Sequence, residues 1–396
     1  MLQFTALPPL SLYVHFPWCV RKCPYCDFNS HAVRGDIPEN QYVDALLADL
    51  EADLPRVWGR PVRSIFLGGG TPSLFSPEAI DRLLAGVRAR VALVPDAEIT
   101  LEANPGTVET ERFRGYRAAG VNRLSIGIQS FQPEQLKKLG RIHGRDEALS
   151  AAQAARAAGF DNFNLDLMFG LPQQTLDEAL ADLHTALSLR PAHLSLYQLT
   201  LEPNTLFHAQ PPELPDDDTI ATMQEALQAG LAGADFTQYE VSAYAHSGRR
   251  CRHNLNYWQF GDYLGIGAGA HAKISDANGI TRLWKVKQPR DFLASAGTTA
   301  VLGGEQRLAK EDAAFEFMLN ALRLTEGFPP ALFAERAGLP LSMLEPALAQ
   351  ATARGLVERN PARICATALG RQFLNDLVAL FLPESDTTTT AERHQH

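Results

Sequence analysis

Short apolar runs and longer amphipathic ones alternate through the first half of the chain. Ser11–His15, Val62–Leu67 (VRSIFL), Ala97–Leu101, Arg123–Ser130 (RLSIGIQS), Asn162–Phe169 (NFNLDLMF) and His193–Leu199 are nearly continuous in apolar residues. Runs of that length without strict polar alternation fit strands covered on both faces. Between them lie helical segments. In Asn40–Leu54, the residues Tyr42, Val43, Leu46, Leu47, Leu50 and Leu54 recur near the 3.6-residue helical period. Pro77–Val94 opens with a proline suited to a first helical turn. Glu109–Ala119 is stopped by Gly120, and Pro133–Lys138, Arg145–Ala158 and Leu176–Leu189 follow. This alternation predicts βα units around a parallel sheet covered by helices, an α/β fold. Six strands precede residue 200, so an incomplete parallel (β/α)6 barrel is expected. A full eight-stranded barrel would require Gln238–Tyr244 and one more segment to join.

The pattern changes beyond Asp216. Thr219–Leu231 reads as a helix and Phe236–Ala243 as a strand, and then the aromatic- and glycine-rich stretch CRHNLNYWQFGDYLGIGAGAHAK intervenes. From Glu311 onward the expectation is helical: Asp312–Leu324, Pro330–Ala337 and Leu341–Arg354, then a basic turn and Gly370–Leu382. Four regions are therefore expected: a barrel over 1–235, an extension over 236–305, a smaller, mainly helical C-terminal domain over 306–383, and a disordered tail over 384–396.

With 396 residues the chain can bury a large core. A formal charge of −9 argues against non-specific nucleic-acid binding. The segment before the first strand has no basic region and no signal-like apolar stretch, and no run approaches bilayer length. A cytoplasmic protein without a transmembrane segment is expected.

Chemistry concentrates in Tyr13-Val-His-Phe-Pro-Trp-Cys19-Val-Arg-Lys-Cys23-Pro-Tyr-Cys26-Asp-Phe28, where three cysteines stand in the spacing C-x3-C-x2-C. A cubane iron–sulfur cluster needs four iron ligands and soft thiolates suit iron, so three cysteines would leave one iron open. Structural zinc with His31 as a fourth ligand is the competing reading, and a disulfide fits poorly with an odd number of thiols. Cys251 and Cys365 stand apart from the triplet and read as ordinary thiols. Gly68-Gly69-Gly70-Thr71 directly follows a buried-looking strand, where glycines let backbone groups approach a ligand closely. Asp166 lies between apolar neighbours in a strand and must be paired or bound to something. In parallel α/β folds, ligands sit beyond the carboxyl ends of the strands.

The cysteine triplet resembles the signature of the radical S-adenosylmethionine superfamily. The wording YVHFPWCVRKCPYCDFNSH resembles the oxygen-independent coproporphyrinogen III oxidase family and, more narrowly, its oxidase-like branch of heme chaperones. The resemblance implies the same six-stranded partial barrel and a C-terminal helical domain reminiscent of a winged helix. It also implies a [4Fe-4S] cluster on Cys19, Cys23 and Cys26, with S-adenosylmethionine chelating the open iron. Gly68, Gly69, Gly70 and Thr71 match the glycine motif that meets the methionyl amine. Glu102 in LEANPG, Gln129 in GIQS and Arg141 in LGRIH match cofactor-site residues. Asp166 matches the aspartate that addresses the adenosyl ribose, and Tyr13 the tyrosine six residues before the first cysteine.

One departure separates two activities. The true oxidase carries a further cysteine two residues after the third, and this chain has Phe28 there. The stretch His253-Asn254-Leu255-Asn256-Tyr257-Trp258 resembles the HNxxYW motif of the heme chaperones, whose histidine is associated with heme binding. An imidazole can ligate heme iron and aromatics can cover a porphyrin face. A surface-loop histidine beside core aromatics is the plain alternative, and His271 in GAGAH is a second candidate ligand. The expectation is a heme chaperone that binds heme and passes it to an acceptor protein, with an electron donor as a further partner. The alternatives are oxygen-independent coproporphyrinogen III oxidase, radical chemistry on another substrate, and a zinc-binding interaction protein.

Overall fold

The computed structural model describes residues 4–106 and 109–383, so the tail expected over 384–396 lies outside the described residues. Six parallel strands lie side by side in sequence order: β1 (Leu10–Phe16), β2 (Val62–Gly69), β3 (Leu93–Ala103), β4 (Arg123–Gln129), β5 (Phe163–Phe169) and β6 (His193–Gln198). Their apolar runs conceal a period of two. Ile65, Leu67, Ile99, Leu101, Leu124, Ile126 and Leu165 enter the main core with the covering helices. Between them Ser64, Glu98, Thr100, Arg123, Ser125, Asn164, His193 and Ser195 are also buried, so the other face of the strands is polar. The Ser11 and Ser64 hydroxyls, 2.8 Å apart, join β1 to β2 across that face.

Helix starts follow their capping residues. Ser76 accepts from the Ala79 N–H at 3.2 Å and precedes Pro77 of the Pro77–Arg90 helix. Thr175 and Glu178 form a reciprocal capping box at the start of Leu176–Ser188. Both helices return the chain to the sheet, and the next strand again delivers its carboxyl end to the same face.

The segment beyond residue 236 extends the sheet at both edges. Where one strand was expected over Phe236–Ala243, there are two, β7 (Thr237–Glu240) and β8 (Ala243–Ala245). They pair antiparallel, and β8 runs antiparallel to β6, so this edge is closed rather than continued as a parallel series. At the opposite edge β9 (Asp262–Ile266) is parallel to β1, followed by the antiparallel β10 (His271–Asp276), β11 (Gly279–Lys285) and β12 (Leu302–Arg307). Glycine density hid these strands from the sequence. Gly265 stands where a side chain would collide with the His271 carbonyl, only 1.9 Å from its Cβ position.

Buried ion pairs tie the added strands to the barrel. Lys285 Nζ lies 2.6 Å from both Asp49 Oδ1 and Asp53 Oδ2 of the first helix, Glu39–Val57. The other Asp49 oxygen accepts from the Gly267 N–H at 3.0 Å. Asp262 pairs with Lys273 at 2.9 Å and with Arg60 at 2.8 Å.

The C-terminal part builds its own core around Phe317, Phe328, Phe333, Leu348 and Leu377. Its helices include Lys310–Ala321, Ala331–Ala337 and Glu345–Ala353. Where a basic turn was expected there is a hairpin of Val357–Asn360 and Arg363–Ala366. The last helix expected from the sequence breaks at Phe373 into Ala368–Gln372 and Leu374–Ala379. Among the described residues, no helix is long and apolar enough to cross a membrane.

Replacing Lys285 with Met is expected to destabilise the protein by about 3–5 kcal/mol, because two buried carboxylates lose their cation. Urea denaturation checks this. Adding Asp49→Asn and Asp53→Asn to the same chain is expected to restore part of the loss.

Candidate functional site

All six parallel strands point their carboxyl ends at one cavity of about 370 Å³. The cysteine loop closes it from above. This loop leaves β1 at Phe16 and is stitched to itself by the His31 N–H on the Pro17 carbonyl at 2.7 Å and the Val33 N–H on the Cys19 carbonyl at 2.9 Å. It is clamped to the glycine loop after β2. Gly70 N–H donates to the Phe16 carbonyl and Thr71 N–H to the Trp18 carbonyl, both at 2.7 Å. The glycines are required by space. Gly69 has φ +112, and a Cβ there would sit 2.4 Å from the His15 ring. A Cβ at Gly70 would meet the Trp18 carbonyl oxygen at 2.5 Å.

His15, which sequence reasoning did not single out, supports the loop from below. Its Nε2 reaches the Asn29 carbonyl at 2.8 Å and its Nδ1 lies 3.0 Å from the Tyr13 hydroxyl. A carbonyl only accepts, so Nε2 carries the proton and Nδ1 accepts from Tyr13. Burial lowers this imidazole to about 4, so it is neutral in its working range. The Asn29 side chain then donates to the carbonyls of Ala268 and Lys287, each at 2.9 Å.

Cys19, Cys23 and Cys26 are free thiols, half-buried, and all three line the cavity. Thr71 Oγ1 donates to Cys19 Sγ at 3.4 Å, Arg141 Nη1 to Cys23 Sγ at 3.7 Å, and Cys26 Sγ lies 3.9 Å from Ser30 Oγ. Burial pushes the Cys19 and Cys26 thiols up, so a bound cation is what would draw thiolates here. Among the described residues, no three His, Cys, Asp or Glu side chains converge on a single ion-sized point. A cubane takes each thiolate on a different iron and does not require such convergence. Three soft donors on one cavity wall, with sulfur-directed donors already in place, fit that cluster.

The opposite wall carries the polar groups. Glu102 Oε2 accepts from the Gly69 N–H at 3.0 Å. Burial, and then the Asp166 carboxylate, lift the Glu102 carboxyl to about 8. Asp166 accepts from Asn164 Nδ2 at 2.8 Å and Ser125 Oγ at 3.2 Å, and burial raises its carboxyl too. Gln129 ends β4 with φ 70, a left-handed backbone that non-glycine residues seldom adopt, and it lines the cavity. Two half-buried acids facing a sulfur-rich wall make a pocket suited to a cationic, polar ligand near a metal cluster.

Of the residues singled out from the sequence, Gly69, Gly70, Thr71, Glu102, Gln129, Arg141 and Asp166 line this cavity with the cysteines. Tyr13, Gly68 and His253 do not. Tyr13 stacks behind Phe66, with ring centres 6.3 Å apart, and its hydroxyl turns to His15. Phe66 itself lines the cavity. Gly68 lies along β2, where a Cβ would press against the Phe66 ring at 2.9 Å.

His253 is neither on a surface loop nor on the cavity wall. It lies on the helix Arg252–Trp258, 9% exposed, with Nδ1 3.1 Å from Ser64 Oγ and its ring 5.0 Å from that of Phe66. The Glu98 carboxylate holds the start of this helix, accepting from the N–H groups of Arg252 at 3.1 Å and His253 at 3.2 Å. Burial, and then Arg123, drive the His253 imidazole down to about 3, so it is neutral. Asn254, next in the motif, does reach the cavity. Tyr257 is part-exposed against Tyr263 and Trp258, and Arg323 stacks over Trp258 at 4.3 Å. His271 is exposed on β10 beside Trp284, away from the cavity lining. Cys251 and Cys365 are buried and unpaired. Phe28, by contrast, is 58% exposed and sits on the cavity rim.

Comparisons with known proteins bear on the fold and on the family. Residues 13–186 match the Radical SAM superfamily and residues 308–373 the HemN C-terminal domain. The chain is 52% identical over 379 residues to the heme chaperone HemW of Escherichia coli, covering 96% of this chain and 99% of that one. It is 34% identical over 380 residues to the heme chaperone HemW of Bacillus subtilis, covering 94% and 99%. Among solved structures, coproporphyrinogen III oxidase (HemN) from Escherichia coli, described as a radical SAM enzyme, superposes with a TM-score of 0.80 at 26% identity over 95% of this chain and 90% of that one.

S-adenosylmethionine carries a sulfonium charge, which a neutral Glu102 attracts less than an ionised one. Its affinity for the cluster-loaded protein is therefore expected to tighten as pH rises toward and through about 8, where the Glu102 carboxyl loses its proton. The gain is bounded at about tenfold per pH unit below that value. Calorimetry over this range checks it, and Glu102→Gln is expected to flatten the added slope.

Proposed function

The chain belongs to the heme chaperone HemW family of radical SAM proteins, and on that footing we propose that it binds heme in the cytoplasm and hands it to an acceptor protein. In this reading Cys19, Cys23 and Cys26 each hold one iron of a [4Fe-4S] cluster. Gly69, Gly70 and Thr71 meet the methionyl end of S-adenosylmethionine. Glu102, Gln129 and Arg141 complete the cofactor pocket, and Asp166 takes the ribose. Tyr13 and Gly68 act from behind, by seating His15 and Phe66. When bound, the cluster supplies a low-potential electron beside the sulfonium. The residues' own part is to hold the cofactor, to limit water access and to keep Glu102 and Asp166 close enough to answer its charge.

The observation that carries the chaperone reading over the oxidase is Phe28. It stands on the cavity rim at the position where the oxidase-type motif has a thiol, and the two remaining cysteines are buried elsewhere. A phenyl ring offers porphyrin an apolar contact and cannot take part in thiol chemistry. His253 is the proposed heme ligand, and its neutral imidazole is the form that binds metal. Because it sits beneath Phe66, ligation requires that ring or the seven-residue helix Arg252–Trp258 to move aside.

Three experiments test this on the full chain. Cys19→Ser, Cys23→Ser and Cys26→Ser together are expected to abolish bound iron and sulfide after anaerobic reconstitution, and full loading would reject the cluster ligands. Heme titrated into cluster-loaded protein is expected to bind stoichiometrically, with no decarboxylated product when coproporphyrinogen III and reductant are supplied. His253→Ala is expected to weaken heme at least tenfold and move the Soret band while iron–sulfur content stays unchanged. Catalytic turnover of coproporphyrinogen would overturn the chaperone reading, and an unchanged heme spectrum would remove His253 from it.

A further inference from the structure

We infer that Asn104 is a positioning residue that aims two hydrogen-bond donors at the cluster sulfurs and thereby sets the reduction potential of the cluster. The inference rests on the three-cysteine cluster described above. Asn104 follows β3, and its side-chain orientation is dictated by its partners. Arg141 has only donors, so the oxygen of the amide must face it, and Arg141 Nη2 lies 2.6 Å from Asn104 Oδ1. The amide nitrogen is then left to donate to Thr71 Oγ1, at 2.8 Å. Having accepted there, the Thr71 hydroxyl has its own proton free for Cys19 Sγ, at 3.4 Å. Arg141 Nη1 meanwhile reaches Cys23 Sγ at 3.7 Å. The donors run in one direction, Arg141 to Asn104 to Thr71 to Cys19, so each bond polarises the next.

The fold makes room for this arrangement. A Cβ at Gly127 would lie 2.9 Å from Asn104 Oδ1, 3.0 Å from Gln129 Nε2 and 3.4 Å from Arg141 Nη2, so three polar side chains converge where β4 has no side chain of its own. Arg141 Nη2 also donates to the Gly127 carbonyl at 2.7 Å. The chain of bonds forms the wall between the cofactor cavity and a second cavity of about 360 Å³, because Cys19, Thr71, Asn104 and Arg141 border both.

Hydrogen bonds donated to a cluster thiolate disperse negative charge and favour the reduced, more negative cluster. Removing the Asn104 amide frees the Thr71 hydroxyl to turn away and takes one acceptor from Arg141. Each change withdraws positive density from sulfur. One-electron reduction of the cluster, with dithionite as the reductant, therefore becomes harder.

The test is an anaerobic redox titration of the full-length, cluster-loaded protein, followed by electron paramagnetic resonance. Asn104→Ala is expected to move the midpoint to a more negative potential, shifting the reduction equilibrium several-fold toward the oxidised cluster, with iron and sulfide unchanged. Thr71→Val, which removes the last donor of the chain, is expected to move it the same way, and Thr71→Ser to return it close to wild type. An Asn104→Ala protein with normal iron content and an unmoved midpoint and spectrum would overturn the inference. If Asn104→Ala fails to hold a cluster, the Thr71 pair decides, and equal midpoints for Thr71→Val and Thr71→Ser would overturn it as well. A wild-type protein that takes up no reducible cluster would overturn the cluster reading itself, an outcome distinct from failure of the Asn104 role.

Discussion

Two backbone hydrogen bonds hold the functional end of this protein together, from Gly70 to the Phe16 carbonyl and from Thr71 to the Trp18 carbonyl, both at 2.7 Å. They join the loop after β1, which carries the cysteines, to the loop after β2, which carries the glycines. No side chain could occupy Gly69 or Gly70 without striking His15 or the Trp18 carbonyl, so the clamp exists because those positions are glycine. Everything else in the site takes its place relative to it. Glu102 accepts from the Gly69 N–H, Thr71 reaches Cys19, and Asn104 and Arg141 complete the wall.

The barrel interior couples that end to the helix bearing the heme-chaperone motif. Glu98 and Glu102 both lie on β3, and because alternate residues of a strand share a face, these two, four apart, point the same way. Glu102 faces the cavity at the carboxyl ends of the strands, while Glu98 accepts from the first N–H groups of the Arg252–Trp258 helix. A second path runs from Asp166 through Asn164, His193 and Tyr239 to the Cys251 N–H, with contacts of 2.8, 2.7, 2.8 and 3.3 Å. Burial keeps His193 neutral, and its Tyr239 partner is likewise held protonated. His253 thus follows a helix start held by polar groups that reach the same cavity, and its ring packs beside Ser64, Phe66 and Tyr13 rather than on a loop.

Much of this was legible in the sequence, because the signals were local. Near-continuous apolar runs separated by amphipathic helices give the six parallel strands, and C-x3-C-x2-C followed by a triple glycine marks where their carboxyl ends meet. The edge strands were not legible. Gly265 and its neighbours weaken the strand pattern of β9, and the break at Val241 and Ser242 splits one expected strand into two that run antiparallel. His15, Asn29, Asn104 and Arg123 escaped notice because their roles depend on partners far away in the chain. Asn29, for example, meets carbonyls at positions 268 and 287. The burial of His253 has the same origin, since it follows from Ser64, Phe66 and Glu98.

In the proposed site, Cys19, Cys23 and Cys26 leave one iron open toward the pocket formed by the glycine loop, Glu102 and Asp166. Electron–nuclear double resonance on the reduced, cluster-loaded protein reaches it most directly, using S-adenosylmethionine labelled with ¹⁵N at the methionyl amine and ¹³C at the carboxylate. The expected result is strong coupling of both labels to the cluster in the wild type, weakened or lost in Asp166→Asn at the same cofactor concentration. A cluster spectrum that shows no coupling to either label at saturating cofactor would contradict it.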